Sequence, residues 1–196
     1  FNAPVFDESV DAAISMLEGV SENTAYLIIH SPGGSVVSGA RLLEYMKNSK
    51  KKIVTICDNL CASMAFQIFQ MGDTRLMTEN AIIMAHPASG GAQGTLENMY
   101  EMIKAFKLYV DRMDAAVAKR SGIEYSKFKA LVADNIWVQT PEALKAGLAD
   151  GVTHVKINDL FGLKSANNVE NNVMTSLRKR GLLTPDKQNL KGYQFN

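Results

Sequence analysis

The spacing of apolar residues alternates between helical and strand periods through most of the chain. Val10, Ile14 and Leu17 recur at helical intervals behind Asp7, a residue able to cap a helix. AYLIIHS (25–31) is a short, continuous apolar run, the pattern of a strand covered on both faces. After SPGGS, Leu42, Leu43 and Met46 predict a second helix, KKIVTICD (51–58) a second strand, and Met64 to Gln70 a third helix. TRLMT (74–78) and AIIMAHP (81–87) predict two more strands joined by a tight turn at Glu79 and Asn80. The longest helix runs from Thr95 to about Lys119, striped by Met99, Met102, Ile103, Phe106, Tyr109, Val110, Met113 and Val117. Such a Met-rich stripe suits a core or a subunit interface better than a cofactor site. A helix near 124–132, the loop DNIWVQT, a helix from Pro141 and the strand GVTHVKI complete an α/β chain with no internal repeat.

Beyond about Asn158 the pattern is lost. That segment is rich in Asn and sets Lys164, Arg178, Lys179, Arg180, Lys187 and Lys191 against Asp159, Glu170 and Asp186. The chain thus divides into a domain at 1–157 and a basic tail at 158–196, mobile or dependent on a partner. RNA binding by the tail is one reading; a solvated basic tail is the simpler one.

Composition narrows the classes of function. With 196 residues, 46% of them hydrophobic, the chain can bury one full core. Lys and Arg number 21 against 20 Asp and Glu, a formal charge of +1, so no global field recruits nucleic acid or an anionic membrane. The apolar runs are shorter than a membrane span, and FNAPVFDESV lacks the regions of a signal peptide, so a cytoplasmic protein is expected. Cys57 and Cys61 make neither a disulfide framework nor a zinc site, and are expected to be reduced, buried thiols.

Three places carry candidate chemistry. In Ser31-Pro32-Gly33-Gly34, between a strand and a helix, the glycines allow positive φ and free N–H groups, as an anion-binding turn or a plain tight turn would. Ser63 stands where a strand hands over to an apolar helix, a place for a nucleophile or for a simple helix cap. There the Met64 N–H could join that of Gly34 in holding an oxyanion. His86 ends an apolar strand ahead of ASGGAQG, and is either structural or the acceptor of the Ser63 proton.

SPGG, ASMA, MAHP with GGAQG, and PEALKAGLADGV, in that order, resemble the ClpP family of serine peptidases from about Pro4 to Val155. The resemblance implies a ClpP/crotonase-like α/β fold, a repeated β-β-α superhelix with a long protruding helix. It implies a serine endopeptidase acting inside a homo-oligomeric ring, with two rings stacked through the long helix. By position, Ser63 would be the nucleophile, His86 the general base, and Gly34 and Met64 the oxyanion donors. An extended peptide or unfolded protein would add as a strand along Gly34, Ser35 and Val36 on one side and Ser89, Gly90 and Gly91 on the other. No metal or other cofactor is implied.

Three departures qualify this. The family's third catalytic residue is usually Asp, and its position, six residues before Pro141, holds Asn135, with Asp134 beside it. The chain opens just before its first helix, without the family's axial loop and first strand, so docking to an AAA+ unfoldase is not inferable. The tail after Ile157 and the divergence are more similar to ClpP-like peptidases of phage and prophage genomes that act in head maturation. Two other readings remain: a ClpP-like assembly scaffold weakened at Asn135, and a crotonase-type acyl-CoA enzyme, which shares the superhelix but needs no Ser/His pair. Related signal-peptide peptidases pair serine with lysine, and no lysine stands in the MAHP block.

Overall fold

The computed structural model describes residues 1–153, and the tail expected at 158–196 lies outside the described residues, as does most of the strand expected at 151–157. The described elements are α1 (Asp7–Gly19), β1 (Thr24–Ser31), α2 (Val36–Asn48), β2 (Lys52–Ala62), α3 (Met64–Met71), β3 (Thr74–Thr78), β4 (Ile82–Ala85), α4 (Leu96–Ser121), α5 (Tyr125–Ala133), β5 (Ile136–Gln139), α6 (Thr140–Lys145) and β6 (Gly151–Thr153). The first helix starts one residue earlier than expected. Phe6 is the N-cap, Asp7 is already helical, and Ser9 closes the turn by accepting the Phe6 N–H at 3.0 Å and donating to the Pro4 carbonyl at 2.8 Å.

A six-stranded sheet is built around β2. β1 lies along one side of it and β3 along the other, all parallel, and α2 and α3 supply the crossovers that parallel neighbours require. Burial alternates along β1, so only one of its faces is sealed, contrary to the expectation of two. Leu27, Ile29, Ile53 and Cys57 meet Val10, Leu17, Leu42, Met46, Phe66, Ile68 and Phe69 from α1–α3 in one core. Each large side chain sealed there contributes roughly 1.5–3 kcal/mol relative to its exposed state.

β2 is longer than its apolar run predicts, and a bulge explains both its length and its path. Ile29 pairs with Cys57 and Ser31 with Cys61, so three β2 residues face the single residue His30. Asn59 takes φ 80° at the apex, and His30 Nδ1 lies 3.2 Å from the Asp58 carbonyl. Bulges bend a strand and re-aim the residues beyond them. Past this one, β2 leaves β3 and pairs Leu60–Ala62 with β4. β3 and β4 are therefore not a hairpin: both run parallel to β2, one after the other, across a jog at 79–81. Thr140 Oγ1 pins that jog by donating to the carbonyls of Thr78 at 2.7 Å and Ala81 at 3.2 Å. The expected loop DNIWVQT contains strand β5, which pairs antiparallel with β4. Its Val138 is buried, while the exposed Trp137 hides the alternation in the sequence.

α4 spans about 39 Å at 1.5 Å per residue, yet only Asp114, Val117 and Ala118 on it are buried. Leu96, Tyr100, Met102, Ile103, Leu108 and Tyr109 are all at least half exposed. Its apolar stripe is core only at the C-terminal end, and the rest projects from the domain. Both cysteines are free and buried, Cys61 Sγ 3.5 Å from the Ile29 carbonyl, and burial, with Cys57 alongside, pushes the Cys61 thiol up.

Candidate active site

Ser63 sits between β2 and α3 at φ 56° and ψ −123°, a conformation that costs a non-glycine residue about 1–3 kcal/mol. Several contacts hold it there. Its N–H donates to the Met84 carbonyl at 2.8 Å, extending the β2–β4 ladder by one step. Its carbonyl accepts the Phe66 and Gln67 N–H groups of the first turn of α3 at 3.0 and 3.3 Å. Gly33 presses against the other side: a Cβ there would lie 2.6 Å from Ser63 Cβ and the Ala62 carbonyl and 2.9 Å from the Met64 nitrogen.

The side chain separates the two readings open to a serine here. As N-cap of α3, Ser63 makes no side-chain capping bond. Its Oγ lies 2.8 Å from His86 Nε2 instead. His86 comes directly after β4, and the pairing of Ala62 with Met84 brings the ends of the two strands side by side. The N–H of Met64, at the first helical position, has no intrahelical acceptor.

Gly34 is reached from its far side. Val5 forms a parallel bridge to it, donating to the Gly33 carbonyl at 2.9 Å and accepting the Ser35 N–H at 2.7 Å. A bridged residue flanked in this way turns its own N–H away from the partner, so the Gly34 N–H faces away from Val5. Gly33 and Gly34 have φ of 94° and 151°, and a Cβ on Gly34 would fall 2.4 Å from the Val5 carbonyl. No other residue type fits between Val5 and the Ser63 turn.

The predicted substrate positions fall on different structures. Ser35 caps α2 by accepting the Ser38 N–H at 3.1 Å, and Val36 is already helical. Ser89, Gly90 and Gly91 are exposed and lie outside regular elements.

The third position is not joined to the pair. Ala85 pairs with Ile136 as the last pair of the β4–β5 ladder, so His86 and Asn135 are the next residues on its two strand ends. Asn135 is exposed with φ 55°, just past the end of α5, a left-handed position that favours Asn. Asp134 is the C-cap of α5 and is also exposed. Among the described residues, the His86 ring bonds only to Ser63.

Side chains absent from the sequence-derived site anchor α3. Gln67 Nε2 donates to Asp114 Oδ1 at 3.0 Å. Gln70 donates to the Leu148 carbonyl at 2.8 Å and accepts from the buried Arg75 at 2.6 Å. Arg75 also clamps Asp150 through Nη2 at 2.8 Å and Nε at 3.1 Å, and Arg120 donates to the Gln70 carbonyl at 3.0 Å. Burial alone would raise the Asp150 pKa; the hydrogen bonds and charge of Arg75, with Arg120, outweigh it and hold the carboxyl below its usual range. The signals are present in the sequence as two glutamines on an otherwise apolar helix and a carboxylate inside the stripe of α4.

Among the described residues no helix is long and apolar enough to cross a membrane. A family model for Clp protease matches residues 5–156. The chain is 29% identical over 133 residues to the "ATP-dependent Clp protease proteolytic subunit 1" of Prochlorococcus marinus (strain MIT 9312), an alignment covering 67% of this chain and 68% of that protein. The family match spans both glycines of the Val5 bridge, the Ser63 turn, His86 and the β5–α6 block, and the chain belongs to the Clp protease family, as a serine peptidase of the Clp type.

Proposed function

We propose that Ser63 is the nucleophile and His86 the general base of an endopeptidase that hydrolyses peptide bonds through a covalent ester. The observation that carries this is the Ser63 Oγ, which leaves its own helix uncapped and lies 2.8 Å from His86 Nε2. His86 takes the hydroxyl proton as Oγ attacks the peptide carbonyl, then returns it to the leaving amine; water repeats the sequence to release the acid. The N–H groups of Gly34 and Met64 receive the oxyanion, and each such donor is worth on the order of 100- to 1,000-fold in rate. An extended peptide or unfolded protein pairs its backbone with the exposed segment Ser89–Gly91 and with the turn at Gly34–Val36.

The assembly proposed is a ring of identical subunits, with a second ring joined through α4. The half-exposed apolar residues of that helix form the kind of surface a subunit contact covers. Head maturation in a phage is supported by the Asn-rich tail and by Asn135 alone, and cleavage of a co-expressed capsid precursor tests it.

Labelling with a fluorophosphonate, mapping of the adduct, and peptide hydrolysis by Ser63→Ala test the site. The adduct should fall on Ser63, and the variant should be folded and inactive. The weakened-scaffold reading draws on the absence of a bond from Asn135 or Asp134 to His86. An unlabelled, inert wild type that still assembles would favour it.

A further inference from the structure

We propose that Asp114 is a positioning residue for the Ser63 site, fixing the roll of α3 through Gln67 and thereby the place of the Met64 N–H; this rests on the peptidase reading above. Asp114 is the one buried carboxylate among the described residues, 3% exposed, on a helix whose first four turns stand clear of the domain. Its two oxygens are divided between elements: Oδ1 accepts Gln67 Nε2 of α3 at 3.0 Å, and Oδ2 pairs with Lys129 Nζ of α5 at 3.0 Å. Lys129 also lies 3.5 Å from Asp111.

Burying a paired carboxylate rarely stabilises a fold more than an apolar residue of similar size would, so the gain sought at such a place is geometric. α3 needs it. Its sequence, MAFQIFQM, packs mostly through Met64, Ala65, Phe66, Ile68 and Phe69, and apolar burial, being non-directional, sets the roll of a helix less sharply than a directional bond does. Gln67 and Gln70 are its only polar side chains, and both are tied to neighbouring elements, Gln70 by Arg75 and Leu148 near the C-terminal end and Gln67 by Asp114 at mid-helix. Gln67 also, together with Phe66, donates its N–H to the Ser63 carbonyl, so its side-chain anchor acts on the turn that carries Ser63.

With helix Cα atoms on a radius of about 2.3 Å, a roll of about 20° moves the Met64 backbone by about 0.8 Å. A misplacement near 1 Å costs on the order of 100-fold in rate. Releasing Gln67 should therefore lower kcat roughly 10- to 100-fold and leave KM within about threefold.

The test uses the full chain. Wild type and Ser63→Ala are compared first, then Gln67→Leu, Asp114→Leu and the double variant Asp114→Asn/Lys129→Met, with Leu17→Ala as a core variant of comparable thermal stability. Gln67→Leu and Asp114→Leu should lose kcat while still melting well above the assay temperature. The double variant keeps an oxygen acceptor for Gln67 without a buried charge and should recover most of the rate. Unchanged kcat in Gln67→Leu, or a loss that Leu17→Ala reproduces, overturns the positioning role while Ser63 labelling keeps the peptidase reading intact. If the single variants do not fold, the double variant decides: near-wild-type kcat supports the proposal and a loss of about tenfold or more refutes it. A wild type that neither cleaves nor labels overturns both readings.

Discussion

Replacing Asn135 by Asp should make this a faster enzyme. An amide can accept a hydrogen bond from an imidazole and fix its tautomer, but only a carboxylate also stabilises the imidazolium that forms in the proposed mechanism as His86 takes the Ser63 proton. The β4–β5 ladder ends at the pairing of Ala85 with Ile136, so position 135 and His86 are the next residues on its two neighbouring strand ends. The backbone permits the change, because Asp shares with Asn a tolerance for the left-handed φ of 55° found there. Two unit charges about 4 Å apart interact by about 1 kcal/mol in water and about 4 kcal/mol at an effective dielectric near 20. Position 135 is exposed, so the lower part of that range applies, about 1–2 kcal/mol or a roughly 5- to 30-fold rise in kcat. Steady-state hydrolysis of a fluorogenic peptide by Asn135→Asp, Asp134→Ala and wild type measures it, with Asp134→Ala expected within about twofold of wild type. A nearly dead Asp134→Ala beside a neutral Asn135→Asp would show that the carboxylate one residue earlier serves His86. Silence of both would leave a Ser/His dyad oriented by solvent or main chain.

The surrounding contacts carry further expected outcomes. Gly33→Ala puts a methyl within 2.6 Å of Ser63 Cβ and the Ala62 carbonyl at a φ of 94°; it should cost at least about 1–3 kcal/mol in thermal unfolding and most of the activity, and a variant with wild-type kcat would refute the packing argument. Asp150→Asn removes the countercharge of the Arg75 guanidinium, 3% exposed, and should lower stability at neutral pH by about 3–5 kcal/mol. Because the folded Asp150 pKa is depressed, its contribution is full above the unfolded value near 3.9 and disappears as pH falls through the folded value. The melting temperatures of wild type and Asp150→Asn should therefore converge on acidification below about pH 4, and parallel profiles would refute the clamp. Ile103→Asp, on the exposed part of α4, should shift light scattering toward smaller assemblies, and an unchanged mass would remove that face from the proposed ring contact.

The elements legible in the sequence are those whose residues answer to one neighbour at a time. The helices carrying Leu17, Met46 and Val132 bury these residues on single apolar faces, and Thr95 and Gly122 bound α4 by cap chemistry that is local. β5 escapes such a reading because an edge strand of four residues with Trp137 turned outward has an apolar run of only three and a turn at one end alone. The bulge at Asn59 escapes it because the bulge exists only relative to β1: two of three residues become surplus when His30 alone stands opposite them. The apolar stripe of α4 gives the helix but not its partner, since its period is the same whether a core or another subunit covers it. Within the site, Ser63, His86 and Gly34 stand at motif positions. Gln67 and Asp114 are 47 residues apart, and their bond depends on how α4 crosses α3.

Ser63 is where local preference and tertiary structure disagree most, and the disagreement has a direction. A serine before a helix ordinarily turns its hydroxyl to the free N–H groups of the first turn, which contributes about 1 kcal/mol, and ordinarily avoids positive φ. Here it does neither. The ladder bond to Met84, the close face of Gly33 and the buried packing of Met64, Ala65 and Phe66 together overrule it. A turn needed only to link β2 with α3 would gain from a glycine at that φ, or from a capping serine in extended conformation. Under the proposed mechanism the strain has a use: the arrangement frees two things a cap would consume, the hydroxyl and the helix-terminal N–H groups. Both are set where His86 and the Gly34 turn converge. Strain of about 1–3 kcal/mol held at one residue, with its hydrogen-bonding capacity redirected to an imidazole, fits the preorganised nucleophile proposed for Ser63 and has no use in a linker.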